Sequence, residues 1–151
     1  MSAFLVDTNV LVYAHDPRDR RKQERALEVL DRLIPHGLAV LSVQCLTEFF
    51  RAVRWKLPEP LDPQEALAQV ERLIRACRVL DLTPMVVIDG CRGSDSYSLS
   101  LWDALIWATA KLNQVPFVLS EDFQDGVLLE GVRFLNPFTE TFDLALLQTS
   151  P

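Results

Sequence analysis

Three runs of this sequence, Ala3-Phe4-Leu5-Val6, Leu38-Ala39-Val40-Leu41 and Pro116-Phe117-Val118-Leu119, are apolar at every position. A strand with one face in water alternates with a period of two, so a short unbroken apolar run describes a strand buried on both faces. Helical patterns stand between these runs. Arg21–Ile34 places Ala26, Leu27, Leu30, Leu33 and Ile34 at helical spacing before Pro35-His36-Gly37 ends it, and 43–57 and 64–77 repeat the periodicity. A further helix opens at Ser100, and a last strand is expected at Val132–Leu135. Strands alternating with helices need crossover connections, so the expected class is α/β: a central parallel sheet between two helical layers. The Pro-rich joint Leu57–Pro63 separates two helices, not two domains. Residues 85–98 admit two readings. Val86, Val87 and Ile88 favour a strand, whereas Thr83-Pro84 has the form of a helix cap and first position. Two glycines and two aspartates within Asp89–Ser96 lead us to expect any helix there to be broken or short.

With 151 residues, 49% of them hydrophobic and 24% charged, the chain has the balance of one globular core, which excludes a disordered or fibrous protein. Its net charge of −6 argues against coating nucleic acid by bulk charge, so an anionic substrate must be met locally. The charge is uneven: residues 1–78 carry a net +1 and residues 79–151 a net −7. Arg18, Arg20, Arg21, Lys22, Arg25, Arg51, Arg54 and Lys56 form either a basic rim around something acidic or a solvated face with internal ion pairs. Cys45, Cys77 and Cys91 show no C-x-x-C pair and read as reduced, mostly buried thiols; His15 and His36 read as loop or surface residues. No apolar stretch approaches the ~20 residues that span a bilayer, so the expectation is a cytoplasmic protein with no membrane partner.

In an open parallel sheet, ligands bind just beyond the carboxyl ends of the strands. Asp7 directly follows the first run and Asp122 follows Leu119 by three residues, so in parallel strands both carboxylates share that edge. Right-handed crossovers bring two more acids to it. The helix leaving the second strand starts there with Glu48 in its second turn, and the helix leading into Pro116–Leu119 starts there with Asp103 in its first.

Each acid has an ordinary alternative. Asp7, with Thr8 and Asn9, has the chemistry of a helix cap; Glu48 stands at ion-pair spacing from Arg51; Asp103 completes a Ser100-x-x-Asp capping box. Ser120–Gly126 reads as an acidic surface loop, our preferred reading for Glu121. Two features weigh the other way. Glu48 shares a helix sector with Cys45, Ala52 and Trp55, opposite an apolar stripe, and Asp103 lies in a helix apolar almost all round, where an unpaired charge is costly. Gathered acids repel one another, and a hard divalent cation relieves this. Mg²⁺ and Mn²⁺ take carboxylate oxygens, whereas zinc favours the His and Cys that are scarce here. Such a site suits phosphoryl-ester cleavage. No P-loop, G-x-G-x-x-G or Ser-His-Asp order competes.

Four stretches in order, Leu5-Val6-Asp7-Thr8-Asn9-Val10-Leu11, Thr47-Glu48-Phe49, Ser98-Leu99-Ser100-Leu101-Trp102-Asp103-Ala104-Leu105-Ile106 and Leu119-Ser120-Glu121-Asp122-Phe123-Gln124-Asp125-Gly126, resemble the PIN-domain family and, within it, the VapC toxins of prokaryotic toxin–antitoxin modules. The resemblance spans nearly the whole chain. It implies a single PIN-like nuclease domain over 1–137, three-layered α/β/α, with 138–151 an extension of unassigned role whose Phe142, Leu144, Ala145, Leu146 and Leu147 are available to cover a partner or the chain's own core. It implies that Asp7, Glu48, Asp103 and Asp122 form a catalytic site for Mg²⁺ or Mn²⁺, with Asp125 as a further carboxylate and Thr8, Asn9 and Ser120 in or beside the coordination shell. The implied activity is metal-dependent hydrolysis of RNA phosphodiesters. The implied partners are RNA, a cognate antitoxin whose C-terminal segment enters the groove, and a second copy of the chain in a homodimer.

The alternative on the same fold is an RNA-processing or RNA-binding protein without a toxin role. A receiver-like signalling domain would want paired acids after the first strand and a lysine after a late one, where this chain has Asp7-Thr8-Asn9 and Ser120-Glu121. A haloacid-dehalogenase-type phosphatase would want D-x-D, and Asn9 stands at its second position.

Overall fold

The computed structural model describes residues 2–147. In chain order its elements are β1 (Phe4–Val6), α1 (Thr8–Tyr13), α2 (Arg20–Leu33), β2 (Ala39–Ser42), α3 (Val43–Trp55), α4 (Pro63–Ala76), β3 (Arg78–Leu80), α5 (Pro84–Tyr97), α6 (Leu101–Leu112), β4 (Phe117–Leu119), β5 (Leu128–Leu129) and β6 (Val132–Leu135). Short 3-10 turns lie at Ile34–His36 and Leu144–Leu147. The strands form one sheet in the order β3-β2-β1-β4-β6-β5. The first four pairings are parallel, and only β5 runs antiparallel, against β6.

The apolar runs are strands buried on both faces, and successive residues feed opposite cores. Phe4, Val6, Ala39 and Leu41 pack with α1, α2, α3 and α4 through Val10, Leu11, Val29, Leu33, Phe49, Val53 and Ala66. Leu5, Val40 and Val118 face the other way, against Val86 of α5 and Leu105–Ala108 of α6. This is the expected three-layer α/β/α arrangement.

Two strands escape the sequence patterns. β3 sits at the sheet edge and buries only Leu80 well, so it lacks a continuous apolar run. β5 is two residues long and forms a hairpin with β6 through Glu130 and Gly131, both at positive φ (46° and 86°), as a two-residue turn matched to strand twist requires. The sheet is therefore mixed at one edge.

Residues 85–98 resolve in favour of the helix. Thr83 Oγ1 accepts from the Val86 amide as N-cap and Pro84 opens α5, which runs unbroken for 14 residues. The expectation of a broken or short helix is corrected by tertiary packing. Gly90 and Gly93 are buried against α6: a Cβ on Gly90 would stand 2.8 Å from Leu105 Cδ2, and one on Gly93 would overlap the Trp107 ring. The glycines permit close helix approach, and that contact outweighs their poor helix propensity.

The C-terminal segment covers the chain's own core. Leu147 is fully buried and Phe138 nearly so. Phe138 packs edge-on against Tyr13 with ring centroids 5.0 Å apart. Arg21, Arg25 and Arg32 of α2 donate to the carbonyls of Phe138, Pro137 and Leu144. Residues 148–151 of the expected extension lie outside the described residues. No helix among the described residues is long and apolar enough to cross a membrane.

Candidate active site

β1 lies between β2 and β4, so the chain leaves β1 toward one side of the sheet and returns to its other side at β4. Loops diverging from neighbouring parallel strands open a crevice at their carboxyl ends. Asp7 ends β1 there, and its amide donates to Leu119 O of β4 at 3.0 Å. It is both helix cap and site residue. Its Oδ1 accepts from the Thr8 amide at 2.8 Å, and its Oδ2 accepts from Ser120 Oγ at 2.7 Å. The Cys45 thiol lies 3.8 Å from Oδ1. Burial pushes the Asp7 carboxyl up to about 6; the bonds from Ser120 and Thr8 oppose the rise, and the charges of Asp122 and Glu48 add to it. Burial also pushes the Cys45 thiol up to about 12, with the Asp7 charge reinforcing it, so Cys45 stays protonated.

Two of the other predicted acids, Glu48 and Asp122, are tied to Asp7 through Thr8, Asn9 and Ser120. Thr8 Oγ1 donates to Glu48 Oε2 at 2.9 Å, and Gln44 Nε2 donates to Glu48 Oε1 at 3.2 Å. No Glu48–Arg51 pair forms among the described residues. Asn9 Nδ2 donates to Ser120 Oγ at 3.0 Å and to Asp122 Oδ2 at 3.2 Å. Ser100 Oγ caps the Asp103 amide at 3.1 Å, as the capping reading expects, yet the half-buried Asp103 carboxyl is raised, first by desolvation and then by the charges of Asp122 and Glu48. Asp125 stands apart from this web: its Oδ1 accepts from the Asn136 amide at 2.8 Å.

Several expectations need correction. Glu121 is no simple surface acid. Tyr13 Oη donates to its Oε1 at 2.6 Å and Lys22 Nζ to its Oε2 at 2.8 Å, tying the loop after β4 to α1 and α2. On the other side of Asp122, Phe123 is buried and stacks on Phe134 at 4.0 Å, so Asp122 projects between two anchors. Periodicity gave no warning of the roles of Lys22 and Tyr13, whose partner Glu121 lies about a hundred residues away, whereas Gln44 stands at i, i+4 spacing from Glu48 and was open to notice.

The expected basic rim divides. Arg18 is bidentate to Asp16, Arg20 pairs with Glu24, Lys22 with Glu121, and Arg21 and Arg25 hold main-chain carbonyls. Arg54 donates to Leu61 O. Only Arg51 and Lys56 of the eight have no side-chain hydrogen bond or ion pair among the described residues. Cys77 is half-buried and Cys91 exposed, so only Cys45 fits the buried-thiol expectation. His15 is half-buried against Phe49, and burial lowers its pKa.

A groove of about 650 Å³ runs from Thr8 and Glu48 along α3 to Arg51 and Lys56, with Leu82, Trp102 and Leu105 on its other wall. None of the four predicted carboxylates pairs with a Lys or Arg among the described residues. By chemistry this donor set suits a hard divalent cation. No three Asp, Glu, His or Cys among the described residues are close enough, as they stand, to enclose one ion. The family whose profile matches this chain is the PIN domain, over residues 4–124.

The chain belongs to the PIN-domain family. No curated protein matches the sequence. Among solved structures, this PIN domain is similar to a toxin–antitoxin complex from Klebsiella pneumoniae, at 19% identity and a TM-score of 0.63, covering 90% of this chain and 98% of that one. It is similar to VapC20 of Mycobacterium tuberculosis, described as a sarcin-ricin loop cleaving toxin, at 19% identity and a TM-score of 0.63, covering 87% and 99%. It is also similar to PAE2754 from Pyrobaculum aerophilum, at 18% identity and a TM-score of 0.61, covering 97% and 95%. At these identities the likeness is one of fold.

Proposed function

We propose that this PIN domain is a divalent-metal-dependent endoribonuclease, the toxin of a toxin–antitoxin module. The observation that carries the reading is four carboxylates from four distant segments, Asp7, Glu48, Asp103 and Asp122, on one sheet edge with no cationic partner among the described residues. Membership of a nuclease family supports it, as does the VapC fold of its structural neighbours, several of them toxin–antitoxin complexes. These acids would have to draw closer than they stand to hold Mg²⁺ or Mn²⁺ together, and the ion would then screen the phosphate charge and lower the pKa of the attacking water.

The chain's own groups do the rest. Ser120 and the Thr8 amide fix the Asp7 carboxylate, Thr8 and Gln44 fix Glu48, and Asn9 holds Asp122. Ser100 caps the amide of Asp103 and so places its carboxylate in the first turn of α6. Hydrolysis adds water across one P–O bond: oxygen bonds to phosphorus as the ribose oxygen leaves and takes up a proton. An antitoxin segment lying along the groove would cover the same acids, and a homodimer is the assembly this reading carries with it.

The test is cleavage of structured RNAs, transfer and ribosomal RNA among them, by purified protein with Mg²⁺, Mn²⁺ or EDTA. Discrete metal-dependent cuts are expected, reduced by at least about 100-fold in Asp7→Asn and in Asp103→Asn with the fold intact by circular dichroism. Undiminished cleavage by both variants would refute the reading.

A further inference from the structure

Beside the carboxylates, the groove along α3 carries two kinds of surface that nothing in the acid site uses. One wall presents Trp102, whose large side chain is 63% exposed although it stands directly before Asp103. The other presents Arg51 and Lys56, the cations of the basic rim left unpaired among the described residues when those of α2 are engaged within the fold. An exposed indole beside two free cations and an apolar floor is complementary to a nucleotide, which has an aromatic face and a phosphate. A groove of about 650 Å³ is large enough to hold one.

Gln44 couples this surface to the acids. Its Nε2 donates both to Glu48 Oε1 and to the carbonyl of Trp102, each at 3.2 Å. Its Oε1 is the one buried side-chain polar atom without a partner among the described residues.

We propose that this groove is a subsite for a nucleotide flanking the cleaved bond, its base stacked on Trp102 and its phosphate met by Arg51 and Lys56. The proposal rests on the ribonuclease reading above and assigns the direction in which single-stranded RNA leaves the acids, along α3 and away from α2. Stacking is tolerant of sequence, so the subsite contributes affinity and placement more than base identity. The cations favour RNA over a purely apolar protein contact at this face.

The test uses Asp103→Asn protein with Mg²⁺, which leaves binding to be read without cleavage, and fluorescein-labelled single-stranded RNA followed by anisotropy. Trp102→Ala is expected to weaken binding by about 5- to 100-fold, and Trp102→Phe to stay within about threefold. One abasic ribose walked along the RNA should cause the same loss at a single position, and no further loss in Trp102→Ala. Removing Arg51 and Lys56 together should flatten the dependence of log affinity on log salt by about 1 to 2. Unchanged affinity in Trp102→Ala, or abasic losses equal in both proteins, would overturn the subsite. So would a change in native mass by light scattering with RNA affinity unaltered, which would make this face a protein interface. Cleavage by the otherwise unsubstituted chain separates the two readings. RNA bound in this manner but never cut refutes the nuclease and leaves only a nucleotide-binding groove; an unchanged kcat/KM in Trp102→Ala refutes the subsite and leaves the nuclease.

Discussion

Asp7 is the residue on which the site's electrostatics turn. It sits at 5% exposure with no cation beside it among the described residues, and its pKa, pushed up to about 6, stands above the ordinary 3.8. The folded chain therefore binds this proton more tightly than the unfolded chain. Ionisation costs stability as pH rises from about 4 through about 6, and the full cost persists above that. Asp7→Asn removes the charge and keeps the shape. In metal-free buffer near pH 8 we expect it to melt about 3–8 °C above the unsubstituted protein, with the gap closing as pH falls toward 4. Differential scanning calorimetry across that range checks it; a gap independent of pH would mean that Asp7 is not desolvated as described. The same residue thus trades stability for chemistry, as strained sites in enzymes commonly do.

At the scale of elements, the contact between α5 and α6 shows how a sequence can look unsuited to its structure. Gly90 and Gly93 weaken α5 as an isolated helix, yet each occupies the only space that Leu105 and Trp107 leave. Trp107 is fully buried, and its indole N–H donates to Leu129 O at 3.1 Å, so the ring cannot easily move aside. Gly93→Ala, which would stabilise a solvated helix, should here destabilise the protein by about 1–3 kcal/mol, measured by urea denaturation. A stabilising Gly93→Ala would show that the helices can separate at little cost. The hairpin β5–β6 is joined to the same pair of helices. Glu130 in its turn meets Arg92 and Lys111 and accepts from Tyr97 Oη at 2.6 Å, and these partners hold its carboxyl down to about 2.

Across the whole molecule, the segment after β6 closes the fold. It carries Phe138 and Leu147 back over α1 and α2, onto the core that also holds Phe4, Val6 and Leu119 under the acids. Leu147→Ala should cost about 2–4 kcal/mol in chemical denaturation. Unchanged stability would detach the tail from the domain. Because α2 is held by both the tail and Lys22–Glu121, loosening it should also reach the loop that carries Asp122.

The sequence by itself determined the fold class and the edge at which the acids gather. Both follow from short-range regularities: unbroken apolar runs of four residues bounded by breakers are too short for buried helices and read as doubly buried strands, and strand direction with crossover hand carries Asp7, Glu48, Asp103 and Asp122 to one end without any knowledge of strand order. It also offered caps at Asp7 and Ser100, and at Thr83 as one of two readings, since capping is chemistry within a few residues. Tertiary structure alone decided the rest. Whether α5 is whole depends on the space beside Trp107. Which cations are free depends on whether a carbonyl of the tail or a carboxylate of the β4 loop stands opposite, as it does for Arg21 and Lys22 and does not for Arg51 and Lys56. Such outcomes depend on contacts between residues tens of positions apart, and a linear pattern records only which side chains are available to meet.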